Sequence, residues 1–186
     1  MRRVNVFNFI TLNGYFQGRD GDLSWHPHDG GGEEGEFAGN SAQMGGVLLF
    51  GRVTYQMMAS YWPTPAACEN APVVADGMNK AEKIVFSKTL KNTDWKNARI
   101  ISDNMIEAVR KLKEEPGPDM TILGSGSIVT QLAEAGLIDD YTFMMDPIAL
   151  GEGTPLFKGM KRKLDLQLKS TRTFKSGTLL LTYTNR

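Results

Sequence analysis

Residues 120–136 read MTILGSGSIVTQLAEAG, a short apolar strand that enters a helix through a loop of glycine and serine. Residues 120–123 have the length and composition of a buried strand. The helix that follows carries Ile128, Val129, Leu132 and Ala133 on one face, and Gly136 is placed to end it. A strand that passes directly into a helix is the repeating unit of α/β proteins with parallel sheets.

The same unit recurs on both sides of this stretch. An apolar strand at residues 47–50 ends at Gly51, and a helix is predicted from residue 53 to about residue 60. Further strands are predicted at residues 4–12, 84–86, 99–101 and 141–145. Asp103 is predicted to cap a helix that follows the strand at 99–101.

The end of the chain has a different pattern. Leu164, Leu166 and Leu168 alternate with polar residues, and a turn at 175–177 leads into residues 178–184, which predicts an antiparallel hairpin. We therefore predict an α/β fold with a mostly parallel sheet of about eight strands, flanking helices and a C-terminal antiparallel hairpin. The length of 186 residues fits a single domain over residues 1–186.

Composition excludes several classes of function. Lys plus Arg and Asp plus Glu both number 21, so no net charge favours nucleic acid or a membrane surface. The apolar run at residues 4–12 is too short and too polar for a secretory or membrane segment. The single cysteine, Cys68, cannot form an internal disulfide. We expect a cytoplasmic protein that binds a small molecule.

Three strand-to-helix junctions carry groups that suit phosphate or ribose. Residues 124–127 combine glycines, which let a ligand approach the backbone, with two hydroxyls at a helix start. Residues 51–54 add an arginine suited to bidentate phosphate pairing, and residues 86–89 add two hydroxyls and a lysine. Ligands bind such sheets outside the carboxyl ends of the strands, so the three junctions could share one dinucleotide. Each junction alone is equally an ordinary turn.

Two other patterns carry less weight. Residues 30–35 match the G-x-G-x-x-G spacing, but they follow no strand and contain two glutamates, which favours a chance match. His26, His28 and Asp29 could suggest a metal site, yet the chain has no other histidine and one cysteine. A solvated loop is the favoured interpretation, and no metal is predicted.

The quoted junctions also resemble a known family. Residues 11–14 (TLNG), 51–55 (GRVTY), 83–90 (KIVFSKTL), 124–128 (GSGSI) with 136–140 (GLIDD), and 147–157 follow in order. They resemble signatures of the dihydrofolate-reductase-like superfamily, in the group related to the C-terminal reductase domain of bifunctional riboflavin-biosynthesis deaminase-reductases.

The resemblance implies an NADPH-dependent reductase acting on a small heterocyclic or carbonyl substrate, pteridine- or pyrimidine-like, and a homodimer. It implies cofactor contacts at Thr11, Gly14, Gly51, Arg52, Val53, Thr54, Phe86, Ser87, Lys88, Gly124, Ser125, Gly126, Ser127 and Ile128. Within that set Arg52 is implied to meet the 2′-phosphate, residues 124–128 the pyrophosphate, and Thr11 with Gly14 the nicotinamide.

Departures from the family pattern leave the chemistry open. Asn13 stands where Asp is common, and Ser125 replaces a glycine. Glu33, Glu34 and Glu36 are candidate proton donors whose register with the family acid is not fixed, and a solvated acidic segment is the simpler interpretation. No catalytic residue is assigned. Two alternatives remain: a nucleotide-binding protein without turnover, and a scaffold whose glycines only form turns.

Overall fold

The structure is a computed structural model that describes residues 1–26, 32–43 and 46–186. Its main sheet has eight strands, and a second sheet has two. The strands are β1 (Val4–Thr11), β2 (Tyr15–Gln17), β3 (Val47–Gly51), β4 (Glu82–Phe86), β5 (Ala98–Ile101), β6 (Met120–Leu123), β7 (Asp140–Asp146), β8 (Thr154–Pro155), β9 (Leu166–Thr173) and β10 (Leu179–Asn185). The helices are α1 (Gly32–Gln43), α2 (Arg52–Tyr61), α3 (Pro65–Asn70), α4 (Pro72–Lys80), α5 (Met105–Glu114) and α6 (Gly126–Glu134).

The strand order in the main sheet is β5-β4-β3-β6-β1-β7-β10-β9. The first six of these strands are parallel, and β10 is antiparallel to both of its neighbours, β7 and β9. Strands β1, β3, β4 and β6 carry apolar side chains on both faces, as expected of parallel strands covered by helices on each side. The predicted hairpin is β9 and β10, with a bulge at Thr182/Tyr183. A separate pair, β2 and β8, joins the turn after β1 to the segment after β7.

Two apolar clusters hold the helices against the sheet. The larger one packs α5 and α6 on one face through side chains such as Val109, Val129 and Leu132, all buried. The smaller one lies on the opposite face, where Tyr55 of α2 and Met78 of α4 meet Trp95. Because helices cover both faces, ligands have access to the central strands only at their ends.

The structure corrects three local predictions. Asn104, not Asp103, is the N-cap of α5; it has a φ of 43°, and its side chain accepts a hydrogen bond from the Glu107 amide. The segment after α2 contains two further helices, each with proline in its first turn, where the missing N–H costs nothing. The last hairpin begins at Leu166, so Leu164 precedes the strand.

Lys83 is the most unusual side chain of the core. It is fully buried at the start of β4, and its Nζ donates to the carbonyls of Asn79, Ala81 and Lys96 at 2.8–3.0 Å. The ammonium also lies 4.4 Å from the centre of the Trp95 ring, within cation–π distance. Burial lowers the Lys83 pKa from 10.5 to about 8. This ammonium joins the end of α4 to the segment before β5.

We predict that Lys83→Met lowers the free energy of unfolding at pH 7 by about 2 kcal/mol, because three carbonyls lose a charged donor. Between pH 8 and 10.5 the unfolded chain keeps a proton that folded Lys83 releases, so unfolding becomes more costly as pH rises. The wild-type advantage over the variant should therefore grow across that window. Urea unfolding measures both effects. Lys80→Met, at an exposed ion pair, is the control and should change stability by under ~0.5 kcal/mol.

Candidate functional site

The three predicted junctions lie side by side at the carboxyl ends of neighbouring strands; the row of carboxyl strand ends is called the ligand edge, or simply this edge, of the sheet. Gly51 at the end of β3 pairs with Phe86 at the end of β4, and Leu49 pairs with Ile122 of β6. Strands β4, β3 and β6 are consecutive in the sheet, so their carboxyl ends are neighbours. The prediction that these junctions adjoin one another is confirmed by this register.

Two buried hydroxyls tie the β3 and β6 junctions together. The Gly51 amide donates to Ser125 Oγ at 3.0 Å, and the Ser125 amide donates to Thr54 Oγ1 at 3.1 Å. Thr54 and Ser125 are each 5% exposed. Gly124 and Ser125 both have left-handed backbone, with φ of 58° and 54°, and a Cβ on Gly124 would lie 3.0 Å from Thr54 Cγ2. Thr54 and Ser125 therefore hold the two loops in a fixed relation.

The two helices that begin at these loops have no side-chain caps at their N-termini. Helix α2 begins after Gly51 and helix α6 after Ser125, and neither N-cap residue accepts a hydrogen bond from its helix through a side chain. The first N–H groups of a helix lack intrahelical partners and carry a partial positive charge. Two such ends on adjacent strands form a favourable environment for an anion with two phosphates.

The predicted charged residues flank this edge. Arg52 is exposed at the first position of α2, and its Nη1 donates to Gln56 Oε1 at 2.9 Å. Lys88 is exposed beyond β4, and Val53 is 63% exposed in the first turn of α2. Ser87 uses its hydroxyl locally, accepting from the amides of Thr89 and Leu90. Arg52 and Lys88 are the cations placed to meet a ligand from solvent.

The α6 glycine has a structural explanation. A Cβ on Gly126 would lie 2.8 Å from a ring carbon of Phe16 and 3.1 Å from the Leu156 carbonyl oxygen. Packing against Phe16 and Leu156 is therefore enough to require glycine at this position, whether or not a ligand approaches the Gly126 backbone. Ile128 is buried under the α6 start, and Ser127 is exposed.

The turn after β1 continues the same edge. Thr11 is fully buried, and its hydroxyl donates to Asn13 Oδ1 and accepts from the Tyr15 amide. The Asn13 side chain in turn donates to the Leu150 carbonyl and accepts from its amide, which ties this turn to the segment after β7. Gly14 has a φ of 81° and no atom within 4 Å of its ideal Cβ, so only its backbone requires glycine.

Analysis of the sequence missed a buried polar group at the next strand end. His26 Nδ1 lies 2.6 Å from Asp146 Oδ2, and Thr178 Oγ1 donates to Asp146 Oδ1 at 2.8 Å. The interpretation of His26 as part of a solvated loop is wrong, since its side chain is 12% exposed and pairs with Asp146; His28 and Asp29 lie outside the described residues. One available signal was the position of Asp146, which ends a strand immediately before Pro147 at the edge where Thr11 ends β1.

The candidate acids of α1 bind the C-terminal hairpin. Glu33 lies 3.7 Å from Arg172 and 3.9 Å from Lys175, and Glu34 accepts a short hydrogen bond from Ser176. Glu36 is exposed. The ion pairs of Glu33 join α1 to the end of β9 and the turn that follows it.

Comparison with known proteins identifies the family. The chain matches the RibD C-terminal domain family over residues 2–180. The chain belongs to this family. It is also 31% identical to the uncharacterized protein YyaP of Bacillus subtilis (strain 168), over 98% of this chain and 94% of that protein.

Solved structures show the same fold at low sequence identity. The diaminohydroxyphosphoribosylaminopyrimidine deaminase/5-amino-6-(5-phosphoribosylamino)uracil reductase of Thermotoga maritima matches with a TM-score of 0.72 at 15% identity, over 100% of this chain and 57% of that one. Dihydrofolate reductase of Enterococcus faecalis, solved with NADP(H), matches with a TM-score of 0.66 at 15% identity, over 99% and 96% of the two chains. The predicted dihydrofolate-reductase-like fold and family resemblance are confirmed.

Two features of the described residues bear on other functions. None of the helices in residues 1–26, 32–43 and 46–186 is long and apolar enough to cross a membrane. Within the same ranges, the His, Cys, Asp and Glu side chains form no group of three placed to hold a metal ion.

The hydrogen bonds that Thr54 and Ser125 make between the two loops can be tested by substitution. We predict that Thr54→Val lowers the free energy of unfolding by about 1–3 kcal/mol, because the buried Ser125 amide loses its acceptor. Thr54→Ser keeps the hydroxyl and should lose less than half as much. Urea unfolding gives the energies, and hydrogen exchange at the Ser125 amide reports the contact directly. Valine keeps the Thr54 methyl group and serine keeps the hydroxyl, so a larger loss in Thr54→Ser than in Thr54→Val would show that methyl packing, not the hydrogen bond, matters.

Proposed function

We propose that the protein is an NADPH-dependent reductase that transfers hydride to a small heterocyclic or carbonyl substrate, pteridine- or pyrimidine-like. The observation that carries the proposal is the pair of uncapped helix N-termini locked together at the ends of β3 and β6, with Arg52 beside them. Two comparisons support NADPH as the cofactor. The chain belongs to the RibD C-terminal domain family, and the dihydrofolate reductase with a similar fold was solved with NADP(H).

The residues of the edge fit the parts of a dinucleotide phosphate. The amides that begin α2 and α6 would bind the pyrophosphate, as helix N-termini bind anions elsewhere. Arg52 would pair with the 2′-phosphate, because a guanidinium offers two parallel donors to phosphate oxygens. Lys88 and the backbone near Ser87 would flank the adenosine ribose. Thr11 and Gly14 would lie near the nicotinamide.

The chain's own contribution is binding and orientation. The bound dinucleotide supplies a hydride donor, which is the cofactor's chemistry. Thr54 and Ser125 keep the two anion-binding helix ends at a fixed distance, so phosphate binding positions the rest of the cofactor along the strand ends. Phe16 and Leu156 close the base of the α6 loop.

A second candidate is a nucleotide-binding protein without turnover. Its support is that Glu33 and Glu34 of α1 bind hairpin residues, which occupies the acids first considered as proton donors. A panel of substrates separates the two functions: 5-amino-6-(5-phosphoribosylamino)uracil, a dihydropterin and an aromatic aldehyde, each with NADPH. Reduction of any of them by the wild-type protein excludes the second candidate, and NADPH binding with no reduction favours it.

The cofactor preference is tested by titration with NADPH and NADH, followed by nicotinamide fluorescence. We predict that Arg52→Ala weakens NADPH binding roughly 10- to 100-fold, the range for losing a charge-assisted hydrogen bond, and NADH binding less than threefold. Arg110→Ala removes the same charge from α5 and is the control; it should change neither affinity. Equal losses of NADPH and NADH affinity in Arg52→Ala would remove Arg52 from the 2′-phosphate.

The homodimer stays a prediction of the family resemblance. Strand β9 is one of the two edge strands of the main sheet, and its residues 167–173 are exposed. Sedimentation of the purified protein tests the assembly.

A further inference from the structure

The polar group around Asp146 lies at the carboxyl end of β7. In the sheet order β3-β6-β1-β7 this is three strands away from β3, after which Arg52 begins α2. The Asp146 carboxylate accepts from His26 at one oxygen and from Thr178 at the other. The side chains of His26 and Asp146 are 12% and 5% exposed. A carboxylate buried in this way restricts the position of the imidazole, because both of its oxygens are held.

The strand register places this group beside the β1 turn. Thr11 and Asp146 are direct partners in β1 and β7, so their side chains share one face of the sheet. Phe9, two residues before Thr11, stacks on the His26 ring with ring centres 3.8 Å apart. The order β6-β1-β7 therefore runs from the predicted pyrophosphate loop, through the predicted nicotinamide residues, to His26 and Asp146.

We infer that His26 is the proton donor to the substrate and that Asp146 is its positioning residue. The inference rests on the proposed function, which places the nicotinamide at β1. An ionised carboxylate only accepts hydrogen bonds, so Nδ1 carries a proton, and the second ring nitrogen carries the transferable one when the ring is charged.

Proton donation by His26 accompanies hydride transfer to the substrate. The carbon of a C=N or C=O bond receives the hydride of the reduced dinucleotide, and the electron pair of that π bond moves to the nitrogen or oxygen. The imidazolium N–H bond of His26 breaks as the new N–H or O–H bond forms. Asp146 keeps its charge throughout, and neutral His26 regains a proton from water. The net reaction consumes one NADPH, one proton and one double bond.

Trp25 provides an independent sign that a polar ligand belongs here. Its indole N–H is buried and has no acceptor among the residues that the structure describes. The indole ring lies next to His26, with ring centres 5.9 Å apart. A buried donor without a partner is destabilising, and such groups recur at functional sites. A substrate with an acceptor atom beside its reacting bond, such as a pyrimidine or a pterin, would satisfy this donor.

Among the residues that the structure describes, the groups in contact with His26 or with its partner Asp146 come from several segments of the chain. Asp146 of β7 is its ion partner, Phe9 of β1 and Trp25 contribute uncharged rings, and Thr178 before β10 contributes a hydroxyl. Nearby, Glu34 binds Ser176, while Glu33 binds Arg172 and Lys175. These two glutamates thus have described partners other than His26.

Single-turnover hydride transfer is measured from pH 6 to 9 with the panel compound that the wild-type protein reduces. We predict that His26→Gln slows transfer roughly 10²- to 10⁴-fold, the contribution of a general acid, and leaves NADPH affinity within about twofold. The wild-type rate should fall as pH rises, and the rate of His26→Gln should be flat. Asp146→Asn should slow transfer and change the pH profile, because its carboxamide can hold the wrong imidazole tautomer. His28→Gln is the matched control.

A second readout does not depend on turnover. The chain has two histidines, so ¹⁵N-histidine labelling gives two ring spectra, and the one missing from His26→Gln belongs to His26. Adding the reduced product to the wild-type complex with NADP⁺ should shift the His26 ring nitrogens. This measurement uses the unaltered protein, so it also covers the case in which Asp146→Asn unfolds.

The outcomes separate the two proposals. Absence of NADPH binding, or of reduction of the whole panel by the wild type, overturns the proposed function and this inference with it. Reduction by the wild type, with an unchanged rate and pH profile in His26→Gln, overturns only the proton donor. An unshifted His26 spectrum on product addition does the same.

Discussion

The hydrogen bonds between Gly51, Ser125 and Thr54 are the constraint on which the candidate site depends. They join the ends of β3 and β6 at 3.0 and 3.1 Å, and both hydroxyls are buried. In a parallel sheet each strand end opens into its own loop, so adjacent helix starts have no intrinsic reason to keep a fixed distance. Because the hydroxyls serve this purpose, the backbone amides of α2 and α6, not the side chains of Thr54 and Ser125, remain for a ligand.

This arrangement divides the sheet edge by chemistry. The β4-β3-β6 side carries exposed cations and helix N-termini, which suit phosphate. The β1-β7 side carries buried polar groups and aromatic rings around His26. The turn at Asn13 joins the two sides, because its side chain binds the backbone of Leu150 in both directions. An amide offers a donor as well as an acceptor, and an ionised aspartate at this position would lack the donor to the Leu150 carbonyl.

Much of this could be predicted from the sequence because the relevant signals are local. The apolar run and glycines of residues 120–136 specify a strand, a loop and a helix within one segment, and the structure has β6 and α6 there. Helices α3 and α4 are absent from the predictions because Pro63 and Pro65 indicate only the end of the preceding helix, whereas Pro65 and Pro72 lie in the first turns of α3 and α4. Asp103 has the side chain of a good N-cap, but Asn104 is the cap, and asparagine tolerates the left-handed backbone found there.

The polar group at β7 could not be predicted in the same way. His26 and Asp146 are separated by 120 residues, since His26 lies in the segment after β2 and Asp146 ends β7, so the two side chains meet in the assembled fold and not within one segment. Apart from Asp146 preceding a proline, neither residue lies in a motif, and a histidine followed by His28 and Asp29 suggests a metal before it suggests a carboxylate partner. The acids of α1 are more visible because three lie close together in sequence, yet in the structure Glu33 pairs with cations of the hairpin. Burial, which distinguishes Asp146 from these glutamates, is a property of the assembled sheet.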